Sequence, residues 1–135
     1  MSYPITDIGG IDRETAALLK AARIRSTGRL LDAAGTLKGR KVLADRTGID
    51  AKQLLGWANM ADRMRVKGVS KEYAELLQAA GVDTVRELKH RNPAKLAARM
   101  AAANKARKLV RLLPSEKLVT RWIDHAKRLP LKITY

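Results

Sequence analysis

An internal repeat is the sequence feature that most constrains the fold of this chain. Residues 8–32 align with residues 66–90 without a gap, and eight of the 25 aligned positions are identical. Chance in a chain so rich in Ala and Leu would give roughly two or three identities. The similarity resumes between Leu54-x-x-Trp57 and Val119-x-x-Trp122, where the second copy has gained seven residues. The repeat therefore predicts that the chain consists of two related halves.

Length and composition favour a single all-α domain. The chain has 135 residues, which corresponds to one domain at ~150 residues per domain. It contains no Phe but 21 Ala and 18 Leu, residues that lose little on entering a helix. We predict one domain over 1–135, with pseudo-repeat one at residues 1–65 and pseudo-repeat two at residues 66–135.

Apolar periodicity and capping residues predict about four helices in each pseudo-repeat. The first set covers residues 12–22, 27–34, 37–46 and 51–64. In the second set, Ser70 begins a helix that ends near Ala80, Thr84 begins a short one, Pro93 another, and the last spans 116–128. Residues 93–113 form one helix or two, and we expect a break or a kink near Asn104. A strand has support only at residues 131–135.

The charge is strongly positive and unevenly distributed. The chain carries 28 Lys and Arg against 13 Asp and Glu, a net charge of +15, and the excess is +5 in residues 1–65 and +10 in residues 66–135. No acidic residue occurs between Leu88 and Ser115, whereas eight basic residues do. Such an imbalance favours a polyanionic partner, although a solvated helix face is an alternative explanation. Helical spacing predicts two short stripes, Lys95 with Arg99 and Arg107 with Arg111.

Each pseudo-repeat carries the same short motif, Gly10-Ile11-Asp12-x-x-x-Ala16 in the first and Gly68-Val69-Ser70-x-x-x-Ala74 in the second. Gly permits a tight turn, the apolar residue fills the space between two helices, and Ala allows those helices to cross closely. The next helix then presents free N–H groups that can bind an anion. The motif resembles the helix-hairpin-helix of repair enzymes and of the RNA polymerase alpha C-terminal domain. This resemblance implies SAM-like packing and sequence-independent contact with phosphates from the minor-groove side.

Over nearly its whole length the chain resembles a bacterial family of unknown function built from tandem helix-hairpin-helix units. The residues that carry this resemblance include Leu54-Leu55-x-Trp57, Ala79-Ala80-Gly81-Val82-Asp83-Thr84, Arg91-Asn92-Pro93, Lys108-Leu109-Val110-Arg111 and Ala126-Lys127-x-Leu129-Pro130. The family brings no established activity with it.

The two motifs differ from the helix-hairpin-helix pattern at its second Gly. Asp12 places a carboxylate where a phosphate would approach, whereas Ser70 is neutral and lies between Lys67 and Lys71. Both residues are also good N-caps, which is an explanation that requires no ligand. If one motif contacts nucleic acid, we expect it to be the second.

These observations predict a non-catalytic protein that binds nucleic-acid backbones largely independently of sequence, with double-stranded DNA favoured over RNA. An alternative is a protein-interaction module that docks an acidic partner. The candidate binding residues are the second motif with its flanking lysines and the basic residues that follow: Lys67, Gly68, Val69, Ser70, Lys71, Lys89, Arg91, Lys95, Arg99, Lys105, Arg107, Lys108 and Arg111.

Catalytic, metal and membrane signatures are missing from the sequence. It contains no Cys, its two His residues are far apart in sequence, and its acidic residues are dispersed. We therefore expect no enzyme activity, no cofactor, no metal and no membrane partner, and a cytoplasmic location. Trp57 and Trp122 occupy equivalent repeat positions, which predicts that both belong to the core.

Overall fold

A computed structural model describes residues 2–135, and these residues form helices joined by short connections. After a short 3-10 helix come eight α-helices: α1 (Arg13–Ala21), α2 (Thr27–Ala34), α3 (Leu37–Thr47), α4 (Ala51–Arg63), α5 (Lys71–Ala79), α6 (Val85–Leu88), α7 (Pro93–Arg107) and α8 (Glu116–Arg128). The described chain has no β-strand, only an isolated bridge between Pro4 and Ser26. The predicted all-α class is confirmed.

Two details of the sequence prediction are wrong. Helix α7 runs through Asn104 without a break and ends at Arg107, after which Lys108 takes a left-handed conformation. The Asn104 side chain does not interrupt the helix because it bonds to the backbone that follows, with Val110 at 2.9 and 3.0 Å. Residues 131–135 do not form a strand.

The described chain divides into two compact units. Unit 1 contains residues 2–65 together with 132–135, and unit 2 contains residues 66–131. The division between residues 65 and 66 lies where the aligned sequences of the two halves meet. The four C-terminal residues depart from that division, because they fold with unit 1.

Unit 1 is built around α2, which packs against α3 and α4. Leu19, Leu30 and Leu54 from α1, α2 and α4 are fully buried. The C-terminal segment is held by Thr134, whose N–H donates to the carbonyl of Gly35 at 2.8 Å. Arg40 is also buried and donates to the carbonyls of Ala34, Gly35 and Thr134, so its guanidinium joins the end of α2 to the C-terminal segment. Burial lowers the pKa of Arg40.

Unit 2 is built around α7 and α8. Helix α7 packs against α5 and α8, and α6 also packs against α8. Leu77, Leu96, Met100 and Trp122 are fully buried where these helices meet. Trp122 of unit 2 is 0% exposed and Trp57 of unit 1 is 8% exposed, so the predicted core placement of both tryptophans is confirmed.

Candidate nucleic-acid interface

The second motif forms a tight, hydrogen-bonded turn over residues 66–70, which we call the Gly68 turn. The Val69 N–H donates to the Val66 carbonyl at 3.0 Å, and Gly68 has φ +89°, a conformation that L side chains rarely adopt. Val69 is fully buried and anchors the turn, whereas Lys67 and Gly68 are exposed. The turn therefore presents its charged side to solvent.

Helix α8 supports the Gly68 turn from within unit 2. His125 Nδ1 accepts a hydrogen bond from the Lys67 N–H at 3.0 Å. A Cβ placed on Gly68 would lie 3.3 Å from Trp122 Nε1. The Trp122 ring also contacts the Tyr73 ring of α5, with centroids 5.1 Å apart and planes tilted by 57°. These contacts fix the turn against the first residues of α5.

The first motif forms a similar turn in unit 1. The Ile11 N–H donates to the Ile8 carbonyl at 3.3 Å, and Gly10 has φ +90°. A Cβ on Gly10 would lie 3.4 Å from Trp57 Nε1. Both turns therefore place a left-handed glycine against the indole nitrogen of a buried tryptophan.

The helices that follow the two turns begin differently. Asp12 precedes α1 and accepts a hydrogen bond from the Thr15 N–H at 2.8 Å. That backbone bond, with a further contribution from the Thr15 side chain, holds the pKa of the Asp12 carboxyl below its ordinary value. Ser70 precedes α5, but its side chain makes no capping hydrogen bond. The first-turn N–H groups of α1 are thus partly occupied by a carboxylate, whereas the Ser70 hydroxyl leaves those of α5 uncapped.

Two of the candidate basic residues are brought to the first turn of α5 by the segment 108–112. Tyr73 donates its hydroxyl to the Leu112 carbonyl at 3.2 Å, and the Asn104 side chain bonds to Val110. A cavity of about 710 Å³ lies between this segment and the helix, lined by Lys108, Arg111 and Glu72 among others. Lys108 and Arg111 therefore lie near Glu72 and Tyr73 at the N-terminal end of α5. The Gly68 turn directly precedes this end of the helix.

Two other candidates lie at the opposite end of α5. Arg91 and Arg99 direct guanidinium nitrogens toward Gly81, within 3.9 and 3.8 Å of the position of a Cβ on that residue. Arg91 also lies 3.5 Å from the Ala80 carbonyl. Positive charge near a helix C-terminus complements the helix dipole, which gives these arginines a structural role. The nine-residue helix separates them from the Gly68 turn by roughly 13 Å at ~1.5 Å per residue.

The remaining candidates lie on α7 and beside α6. Lys95 and Arg99 are both exposed one turn apart on α7, as the first predicted stripe requires. The second stripe, Arg107 with Arg111, is wrong because α7 ends at Arg107 and Arg111 lies in the following loop. Lys105 and Arg107 are exposed and Lys89 is half-buried. Within residues 2–135, none of these three side chains forms a hydrogen bond or an ion pair with the Gly68 turn.

Sequence reasoning did not include Glu72 or His125 among the site residues. Glu72 follows Lys71 and adds a negative charge to the cavity beside the Gly68 turn. His125 lies three residues after Trp122 and one before Ala126, so its place on the packed side of α8 follows from helical spacing. Its hydrogen bond with the Lys67 N–H depends on tertiary structure, so it could not be predicted from the sequence.

Residues 2–135 contain no group of three or more His, Cys, Asp or Glu residues that could hold a metal ion. This part of the chain also contains no helix with the length and apolar character that crossing a membrane requires.

The protein is thus small, basic and all-α, and each of its two units contains a glycine turn of the same kind. The chain belongs to the family described as a domain of unknown function, DUF4332, which matches residues 9–129. Comparisons with curated proteins and with solved structures gave no significant match.

Proposed function

We propose that this protein binds nucleic-acid backbones without catalysing a reaction, and that double-stranded DNA is its principal ligand. In this proposal the two glycine turns belong to two helix-hairpin-helix units that arose by duplication. The second unit binds phosphate, and the first has a structural role. Contact with phosphates carries no base information, so binding is largely independent of sequence.

The difference between Ser70 and Asp12 carries this proposal. The N-terminus of α5 has no side-chain cap and lies beside exposed Lys67 and Lys71, so its N–H groups and dipole are available to an anion. At the equivalent end of α1, the Asp12 carboxylate occupies a first-turn N–H and would repel phosphate. The second unit is therefore suited to bind phosphate, whereas in the first unit a first-turn N–H is already hydrogen-bonded to Asp12.

Lys108 and Arg111 extend the phosphate-binding surface beyond the turn. They line the cavity beside the first turn of α5, and both are exposed. Together with Lys67 and Lys71 they give four positive charges at one end of this helix. Glu72 opposes them from the same cavity, so neutralising Glu72 should strengthen binding.

The test measures affinity for a short duplex DNA as a function of salt, with a scrambled duplex as the sequence control. For the wild-type protein, log K should fall linearly with log salt by about 0.9 per phosphate neutralised. Lys71→Ala should weaken binding and reduce this slope by about 0.9, because it removes one phosphate contact. Arg13→Ala is the matched control, since Arg13 is the first residue of α1 as Lys71 is of α5.

Three results would contradict the proposal. The first is equal loss from Lys71→Ala and Arg13→Ala, because the turns would then not differ. The second is an affinity that does not change with salt. The third is strong discrimination between the native and scrambled duplexes, which would require base contacts. A duplex RNA competitor decides whether DNA is preferred.

A further inference from the structure

Unit 1 carries a second basic site, made of residues that the proposed function does not use. A groove of about 560 Å³ opens between the end of α1, helix α2 and helix α3. Its rim carries four basic residues, all of them exposed: Arg23, Arg29, Lys38 and Arg46. None of the four forms an ion pair within residues 2–135.

The groove has almost no negative charge of its own. Asp32 is the acidic residue in its lining, and it lies 3.5 Å from the Lys132 ammonium group. Lys132 offsets the Asp32 charge in part, so the lining carries four cations against one acidic residue. A negatively charged ligand complements this rim.

Part of the groove lining is apolar. Ile24 and Leu43 are buried, whereas Val42 is 51% exposed. An exposed valine in a groove lined by four cations is suited to a ligand that brings both negative charge and an apolar group. A phosphate backbone brings the charge but no aliphatic side chain to cover Val42.

Arg23 follows the end of α1 and adopts the left-handed conformation of a helix C-terminal turn, with its N–H bonded to the Lys20 carbonyl at 2.9 Å. Arg23 has φ +66°, in the left-handed region where a side chain is strained. The aligned residue in the other unit is Gly81, which adopts the same region with φ +92° without that strain. A strained arginine therefore stands in unit 1 where glycine would suffice, and its side chain lines the groove.

We infer that this groove docks an acidic amphipathic segment of a partner protein. Carboxylates of that segment face Arg23, Arg29, Lys38 and Arg46, and an aliphatic side chain covers Val42. The exposed rim suits a chain segment lying across it better than a small molecule, which needs most of its surface enclosed. This inference concerns unit 1 and stands independently of DNA binding by unit 2.

The experiment titrates the whole protein with a synthetic peptide and follows backbone amide shifts by NMR. The probe has twelve residues of Glu and Leu, with Leu at helical spacing on one face. A scrambled peptide of the same composition spreads Leu around the helix. We expect the first peptide to shift the amides of Arg23, Val42 and Arg46, and the scrambled peptide to bind several-fold more weakly.

Three variants test which groups bind. Arg29→Ala and Arg46→Ala should each weaken binding by about two- to five-fold, as for an exposed ion pair, whereas Arg13→Ala outside the groove should not. Arg23→Gly should weaken binding and raise the melting temperature, because it removes a charge and relieves backbone strain. A purely structural arginine would not combine those two effects.

Several outcomes would overturn the inference. Shifts confined to residues 66–131, equal affinity for the scrambled peptide, or unchanged binding by Arg29→Ala and Arg46→Ala would each show that the groove is not the docking site. Displacement of the peptide by duplex DNA with shifts at Val42 would assign the groove to nucleic acid instead.

Discussion

Replacing Gly68 with Ala tests the packing that supports the proposed binding surface. Two costs contribute to the loss of stability. The left-handed backbone at φ +89° costs an L residue about 1–2 kcal/mol. The added Cβ would also lie 3.3 Å from Nε1 of Trp122, a fully buried ring. Because Trp122 is packed on all sides, relieving that contact costs about 1–3 kcal/mol more.

Gly48→Ala provides the matched control. Gly48 also has a positive φ, +75°, but a Cβ there meets nothing within 4 Å. That variant should therefore lose only the backbone contribution of about 1–2 kcal/mol, while Gly68→Ala should lose about 2–5 kcal/mol. Gly10→Ala, whose Cβ would lie 3.4 Å from Trp57 Nε1 in ordinary van der Waals contact, should lose little more than the backbone contribution.

The assay is urea unfolding followed by circular dichroism of the helices, with the free energy of unfolding compared among the three variants. A larger loss for Gly68→Ala than for Gly48→Ala would support the tryptophan contact. Equal losses in these two variants would refute the reasoning, since the Trp122 ring would then not limit the space at the turn.

Three further predictions concern other parts of the fold. Trp122→Ala should lower the free energy of unfolding by about 3–5 kcal/mol, measured in the same assay, because a fully buried aromatic leaves a cavity; wild-type stability would exclude it from the core. Gly56→Ala should stabilise α4 by about 1 kcal/mol, because Ala has the higher helix propensity and no atom lies within 4 Å of the added Cβ. The Asp12 carboxylate, with its lowered pKa, should stabilise the fold above the ordinary aspartate pKa and lose that contribution as pH falls through the folded-state value; a carboxyl NMR titration with an ordinary pKa would contradict this.

The sequence predicted most of the helices because their signals are local. Helices α2 and α8 have the predicted bounds, and Asn92, Ser115 and Ser26 cap their helices as short polar side chains do. The break predicted near Asn104 is wrong: α7 continues to Arg107, and the Asn104 side chain bonds to the loop that follows. Its partner, Val110, is six residues away in a loop whose path the sequence does not specify.

The candidate interface was predictable only in part. The Gly68 turn could be predicted from the motif, because a tight turn often requires a residue with positive φ and Gly adopts that conformation readily. The distribution of the basic residues was not predictable. Lys108 and Arg111 lie near one end of α5, and Arg91 and Arg99 near the other.

The sequence by itself determined most of the helices, most of their side-chain caps and the two glycine turns, because each depends on side chains within a few residues of one another. Tertiary structure alone decided which charges share a surface. The bond between Tyr73 and Leu112 brings the basic loop to α5, and the contact between Lys67 and His125 supports the turn. Both join residues far apart in the chain, so they arise only when α5, α7 and α8 pack around a common core.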